Sequence, residues 1–323
     1  MSGLDKRAEG LQKYFVGQLV EGRDRVFRVA MSLRNQDGRH IRCLLSSGGP
    51  EWRGLIIVVP GFGRTIRHSN ALALAAASHG YAMIRFDPTD HVGDSDGEML
   101  NATLTGVGKD LLFLFNTIRE AGWRDGLFIA AASTFARSTV KMIQHGLSAD
   151  GIVLTLPVVD FAKTLIAVTD IDLIGGYREQ RIKPGDVVQL LTHELDAEFL
   201  ADAIDNNFCG LETTRDELRA APMPVAMIVA EGDDWVSLED ATAALEPGRP
   251  GRSLYVLENA DHDSYSFGFI RAVTNTAMQV LAEMSGITLD STYDFTFSKF
   301  ASAVKTEKAI LNQARKIWNA GNE

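Results

Sequence analysis

The chain is short of cysteine, of basic excess and of long apolar runs, and each shortage excludes something. Two cysteines, Cys43 and Cys209, occur in 323 residues, with no CxxC pair and no zinc-ligand spacing, so no zinc module is written into it. Two isolated thiols fit a reducing cytoplasm, although a single bridge between them stays open. Lys and Arg number 32 against 42 Asp and Glu, a formal charge of −10. Non-specific nucleic-acid binding needs the opposite sign. No uninterrupted apolar stretch reaches the roughly 20 residues of a membrane span. The opening MSGLDKRAEGLQKYF lacks the apolar run and small-residue cleavage site of a secretory signal. Repeats and low-complexity segments are missing as well. What remains is ordinary globular composition, 46% hydrophobic and 23% charged, which buries a sizeable core without difficulty.

Apolar patterning divides the chain. Residues 4–20 read as a short amphipathic helix, and 24–33 and 40–46 as strands joined by the NQDG turn. A continuous apolar run at 55–59 and strand-like stretches at 81–86, 126–132 and 151–158 alternate with helical stretches at 70–79, 105–120 and 134–145. That alternation predicts an α/β fold with a mostly parallel, doubly wound sheet entered through an antiparallel hairpin. The rhythm breaks between 159 and 221, a stretch with Gly175-Gly176 and Pro184-Gly185 that reads as an inserted cap. It resumes with strands at 225–230 and 253–258 and helices near 237–246 and 264–286. The expected organisation is an α/β-hydrolase core over 1–158 and 222–288, a cap over 159–221 and a C-terminal arm over 289–323. The arm carries a strand-like STYDFTF and a terminal helix near 301–319.

One junction concentrates chemistry. In GLFIAAASTF a buried strand stops at Ser133 and a helix follows, the arrangement that lifts a nucleophile above a sheet. Ala131 and Ala132 suit the tight turn, whereas Phe135 stands where GxSxG has glycine. The alternative reading makes Ser133 an ordinary small residue at a helix start. A letter-perfect GxSxG occurs at Gly93–Gly97. It lies too far beyond its strand, no apolar helix begins at Ser95, and Asp94 and Asp96 oppose a developing oxyanion. Ser95 is therefore read into a surface loop, and Asp87, Asp90, Asp94 and Asp96 as solvated carboxylates. Asp233, with Asp234 as its immediate competitor, and His262 each follow a strand, in the order Ser, Asp, His of this fold. Asp233 is expected to orient His262, which takes the proton of Ser133. The oxyanion is assigned to the N–H groups of Thr134 and Phe62, with Gly61 and Gly63 permitting close backbone approach to substrate. Phe135 is placed beside the substrate. No metal and no cofactor is required.

These motifs resemble those of the bacterial LuxD acyl transferases, the myristoyl-ACP thioesterases that supply fatty acid to the luminescence aldehyde pathway. PGFGRTIRH (60–68) is similar to their glycine–phenylalanine loop, and RFDPTDHVGDSDG (85–97) to their arginine/aspartate segment with its His-Val-Gly loop. IAAASTFAR (129–137), DDWV (233–236) and DHD (261–263) look like their serine elbow, acid and histidine motifs, in the same order. The resemblance runs over residues 40 to 285 outside the cap. It implies Ser133 as nucleophile, Asp233 as acid, His262 as base, and an acyl thioester on acyl carrier protein or coenzyme A as substrate. Selection among acyl groups is expected to reside in the cap. A carboxylesterase or other small-molecule hydrolase is the rival enzyme reading, and a non-catalytic binding protein of the same fold the rival from another class.

Overall fold

In the computed structural model, residues 5–262, 266–289, 292–294 and 296–320 are described. A 3-10 helix, Lys6–Tyr14, leads into β1 (Phe15–Glu21), which pairs antiparallel with β2 (Phe27–Arg34), as β2 does with β3 (His40–Ser47). The alternation follows as β4 (Gly54–Val59), α1 (Asn70–Ser78), β5 (Tyr81–Asp87), α2 (Leu104–Glu120), β6 (Leu127–Ala132), α3 (Thr134–Ile143) and β7 (Gly151–Thr155). An excursion then adds α4 (Phe161–Thr169), α5 (Leu173–Arg178), the hairpin of β8 (Val187–Leu190) and β9 (His193–Asp196), α6 (Glu198–Asp205) and α7 (Leu211–Ala220). The core resumes with β10 (Val225–Ala230), α8 (Leu238–Leu245), β11 (Arg252–Leu257) and α9 (Phe267–Met284), and α10 (Phe297–Ala320) comes last.

Nine strands form one sheet in the order β1-β2-β3-β5-β4-β6-β7-β10-β11, parallel from β5 onward. Every residue of β4, β5 and β10 is buried, which is why β4 and β10 read as unbroken apolar runs, while β5 buries Arg85 and Asp87 with partners. One face carries the larger core, with Leu111, Leu114, Phe135 and Val140 of α2 and α3 among its members. On the other face Ala73, Ala76, Met278 and Leu281 of α1 and α9 pack on Val58, Ala130 and Ile228. Each large apolar side chain so buried contributes about 1.5–3 kcal/mol.

Two elements differ from the patterning. The helix expected over 4–20 stops at Tyr14, and its second half is the edge strand β1. Gly17, at φ +87°, falls where the register between β1 and β2 shifts, a bulge that bends the edge. Of the acidic run only Asp96, its side chain 37% exposed, keeps much contact with solvent. Asp87 is 2% exposed and accepts the N–H groups of Ile66 (2.8 Å) and Asp94 (2.9 Å), while Asp94 pairs with Arg315 (2.6 Å) and Asp90 with Arg39. Burial pushes the Asp87 carboxyl up to about 6. Ser95 is buried too, its Oγ accepting the Arg42 N–H at 2.8 Å and donating to the Asp87 carbonyl. It lashes its loop to β3 rather than facing solvent. The strand-like stretch 291–297 lies partly outside the described residues.

α10 is held by charge as well as by packing. Glu307, 1% exposed, accepts from Arg28 Nε (3.1 Å) and Arg85 Nη2 (2.7 Å), both arginines being fully buried. Arg85 also donates to the Ile66 carbonyl (3.2 Å) and to Asn70 Oδ1 (2.6 Å), so one cluster ties α10, β2, β5 and the start of α1. Beyond it Ile310, Leu311, Ala314 and Trp318 pack on Ala30, Leu44 and Ile66. Removing one member of such a cluster strands buried charge. Glu307→Ala is expected to cost about 3–5 kcal/mol in denaturant unfolding, whereas Glu179→Ala, which breaks the exposed pair with Arg181, costs less than about 1 kcal/mol.

Candidate active site

Ser133 sits between β6 and α3 with φ +52° and ψ −132°. A non-glycine residue holds that conformation at a cost of about 1–3 kcal/mol, only where its surroundings enforce it. Here the enforcement is backbone. The Ser133 N–H donates to the Thr155 carbonyl at 3.0 Å, and the Ser133 carbonyl accepts from Ala136 (3.1 Å) and Val158 (3.2 Å). Thr134 opens α3, so its N–H has no partner within that helix. Gly61 lies opposite: a Cβ added there would come 3.4 Å from the Ser133 Cβ, which is how closely the loop after β4 approaches the serine.

The structure brings the three reactive types together. Ser133 Oγ lies 2.9 Å from His262 Nε2, and His262 Nδ1 lies 2.8 Å from Asp233 Oδ2. The imidazole and the carboxylate are 5% and 2% exposed, so their contact is shielded from solvent. The second carboxylate oxygen of Asp233 accepts the N–H groups of Trp235 and Val236, each at 2.9 Å, which fixes its direction. Asp234, the competitor, is exposed. Trp235 stacks on the histidine ring at 4.2 Å between centroids and 25° between planes, a contact that nothing in the sequence pattern announced. Asp263, the end of the DHD motif, lies outside the described residues.

Other expected site residues are placed differently. Phe62 and Thr134 flank the serine and line the same cavity, as does Gly61. Gly63 does not reach it; at φ +69° it makes room for His193, whose Nε2 would stand 2.7 Å from an added Cβ. Phe135 is fully buried and not among the lining residues, which corrects its placement beside substrate. Its ring packs edge-on against His91 (5.0 Å) and Phe62 (6.1 Å), below the loop that carries Phe62. His91 is the residue that sequence reasoning passed over. It is 4% exposed, and its Nε2 accepts the Gly63 N–H at 3.0 Å. Burial, with His193 nearby, pushes its pKa down to about 4, so it is a neutral acceptor at ordinary pH.

The cavity beside Ser133 has a volume of about 410 Å³, the size of a small-molecule site. Its walls are mostly apolar, and the basic side-chain types lining it are Arg64, Arg67, His68 and His262. Among the described residues no cluster of His, Cys, Asp and Glu could hold a metal ion. Both cysteines are buried and unbridged. No helix among the described residues is long and apolar enough to cross a membrane.

A parallel sheet whose central strand ends on a strained serine, with histidine and aspartate supplied after later strands, defines the α/β-hydrolase fold. Solved structures bear out that class: the ferulic-acid-bound form of Est1E from Butyrivibrio proteoclasticus matches at a TM-score of 0.63 and 19% identity, covering 78% of this chain and all (100%) of that one. Mouse alpha/beta hydrolase domain-containing protein 10 matches at 0.60 and 15%, covering 79% and 99%. Within that class the chain belongs to the acyl transferase family, whose model matches residues 32–304. The acyl transferase of Photobacterium leiognathi is 25% identical over 297 residues, 87% of this chain and 93% of its own. That of Vibrio harveyi is 26% identical over 261 residues, covering 79% and 84%. The resemblance drawn from the motifs is thus a family relationship.

Because His91 is neutral in the fold, the unfolded chain takes up its proton first as pH falls. Between pH 6.5 and about 4 this linkage should cost the wild type about 3 kcal/mol. Asp87 acts in the opposite sense, adding stability as it protonates below about 6. Comparing wild type with His91→Gln cancels the Asp87 contribution. The variant keeps an acceptor for Gly63 and should lack the acid-dependent loss, which denaturant midpoints across that range would reveal.

Proposed function

We propose that the protein is a cytoplasmic thioesterase or acyl transferase that works through an acyl-serine intermediate on acyl thioesters carried by acyl carrier protein or coenzyme A. The observation that carries this reading is the unbroken chain from Ser133 Oγ to His262 to Asp233, opening on an apolar cavity. The family membership supplies the acyl chemistry.

Attack begins as Ser133 Oγ bonds to the thioester carbonyl carbon and His262 Nε2 takes the hydroxyl proton. Asp233 holds Nδ1–H in place and stabilises the imidazolium. The carbonyl oxygen gains negative charge and turns toward the N–H groups of Thr134 and Phe62, which are fixed before reaction and so cost no reorganisation. Collapse breaks the C–S bond, the imidazolium proton goes to the departing sulfur, and the acyl group stays on Ser133. Water or an acceptor alcohol or amine, deprotonated by His262, then releases it. The neutral His91 ring holds the Gly63 N–H and thereby the loop that presents Phe62. Arg64 and Arg67 at the cavity suit an anionic carrier such as a phosphate-bearing thiol.

The carboxylesterase reading shares these residues and is separated by substrate. Incubation with acyl-ACP, acyl-CoA and p-nitrophenyl esters, followed by intact mass measurement, should give an acyl adduct on Ser133 and faster turnover of the thioesters; preference for the simple esters would overturn the thioester assignment. Ser133→Ala and His262→Ala should each lower kcat/KM by about 10³ or more, and the double variant by no more than either alone. Ser95→Ala removes two buried hydrogen bonds and should cost about 1–3 kcal/mol of stability while turnover per folded molecule persists. An active Ser133→Ala beside an inactive Ser95→Ala would move the nucleophile and end the reading.

A further inference from the structure

The cavity beside Ser133 is walled unevenly. Of residues 159–221, where selection among acyl groups was expected to reside, Leu191 alone lines it among the described residues. On that side of the serine, beneath α4, the free space is a cleft of about 20 Å³, room for about one water. The remaining wall comes from the opposite layer: Leu72 of α1, Phe269, Ile270 and Val273 of α9, and Phe300 of α10.

We propose, on the acyl-enzyme reading above, that the acyl chain runs into the space between α1 and α9, and that α10 sets the chain length accepted through Phe300. Phe300 spans that space. It packs against the cluster of Val26, Leu74, Ala77 and Ala303, two of which belong to α1, and its ring lies 6.3 Å from that of Phe267 at the start of α9. It cannot drift outward, because Glu307 stands two helical turns further on, on the same face. That carboxylate is buried against Arg28 and Arg85, and Arg85 in turn bonds Asn70 at the start of α1. Buried ion pairs and a hydrogen bond thus join the helix that carries Phe300 to the start of α1 in the cavity wall. A rigid apolar wall turns each surplus methylene into a steric clash and each missing one into unfilled space, worth about tenfold in kcat/KM or more.

The test is a graded series of straight-chain acyl-CoA substrates with wild type, Phe300→Ala, Phe300→Trp and Val168→Ala, the last lying in the narrow cleft beneath α4. Phe300→Ala should shift the optimum to longer chains, with the long-to-short ratio of kcat/KM rising about tenfold, and Phe300→Trp should shift it to shorter ones. Val168→Ala should leave the profile in place. A shift with Val168→Ala and none with either Phe300 variant overturns the assignment. Trp235 fluorescence during titration with fatty carboxylates of graded length reads the same cavity without turnover. A length optimum that follows Phe300 there, in a protein that forms no acyl adduct, would sink the acyl-enzyme reading and leave the wall assignment standing. A binding profile indifferent to Phe300 would do the reverse.

Discussion

The geometry of the site depends on the backbone of Ser133. A left-handed serine at the end of a buried strand turns the chain from β6 into α3 within one residue, and everything reactive is referenced to that turn. The hydroxyl stands above the sheet because the residue cannot relax: Thr155 and Val158 from the neighbouring strand and loop hold its amide and carbonyl. Gly61 lets a second loop come close enough to face it. The strain of about 1–3 kcal/mol is small beside the core that enforces it, and the helix start leaves the Thr134 amide without a partner inside its own helix. Phe135 follows from the same constraint. In place of the usual small residue, its ring drops into the core beneath Phe62 and His91 and becomes part of the floor under the loop.

Much of this was legible in the sequence, and for a physical reason. Strands covered on both faces must be largely apolar, so β4, β6 and β10 announced themselves, while β5 buries Arg85 and Asp87 among its apolar residues. Ser133 and Asp233 could be placed because each follows such a strand, whereas His262 follows the partly exposed edge strand β11 and was placed by its order in the chain. What escaped was decided by partners distant in sequence. β1 is an edge strand whose bulge at Gly17 spoils alternation, and its pairing with β2 lies beyond any local pattern. The acidic run after β5 looked solvated because its partners are distant: Arg39 for Asp90, Arg315 for Asp94, backbone amides for Asp87. Histidines in loops are usually solvated, so His91 carried no signal until its loop was seen to fold against Gly63.

The two faces of the sheet divide the labour. On the α2–α3 side, Arg137 of α3 and Glu217 of α7 are both wholly buried and paired, and Lys141 reaches the same carboxylate at 2.9 Å. The segment between β7 and β10 is thus tied into the molecule at its far end rather than resting on it. On the α1–α9 side small residues such as Ala71 and Ala130 leave room beside the serine, and a helix from the far end of the described chain supplies the missing wall. The buried carboxylate of Glu307, flanked by two arginines, converts that helix from a peripheral element into a fixed one.

The order of these parts along the chain bears on how the protein is made. A ribosome delivers Ser133, Asp233 and His262 before α10, so the proposed triad exists while Arg28 and Arg85 still lack the carboxylate of Glu307 that they share. Until that helix emerges, the nascent chain carries an open apolar trough beside its serine, and Arg85 lacks its carboxylate while Arg28 keeps only Asp24, the kind of surface on which chaperones act. Docking of α10 neutralises the charge and roofs the trough in one event, so completion of the pocket is a late step of maturation.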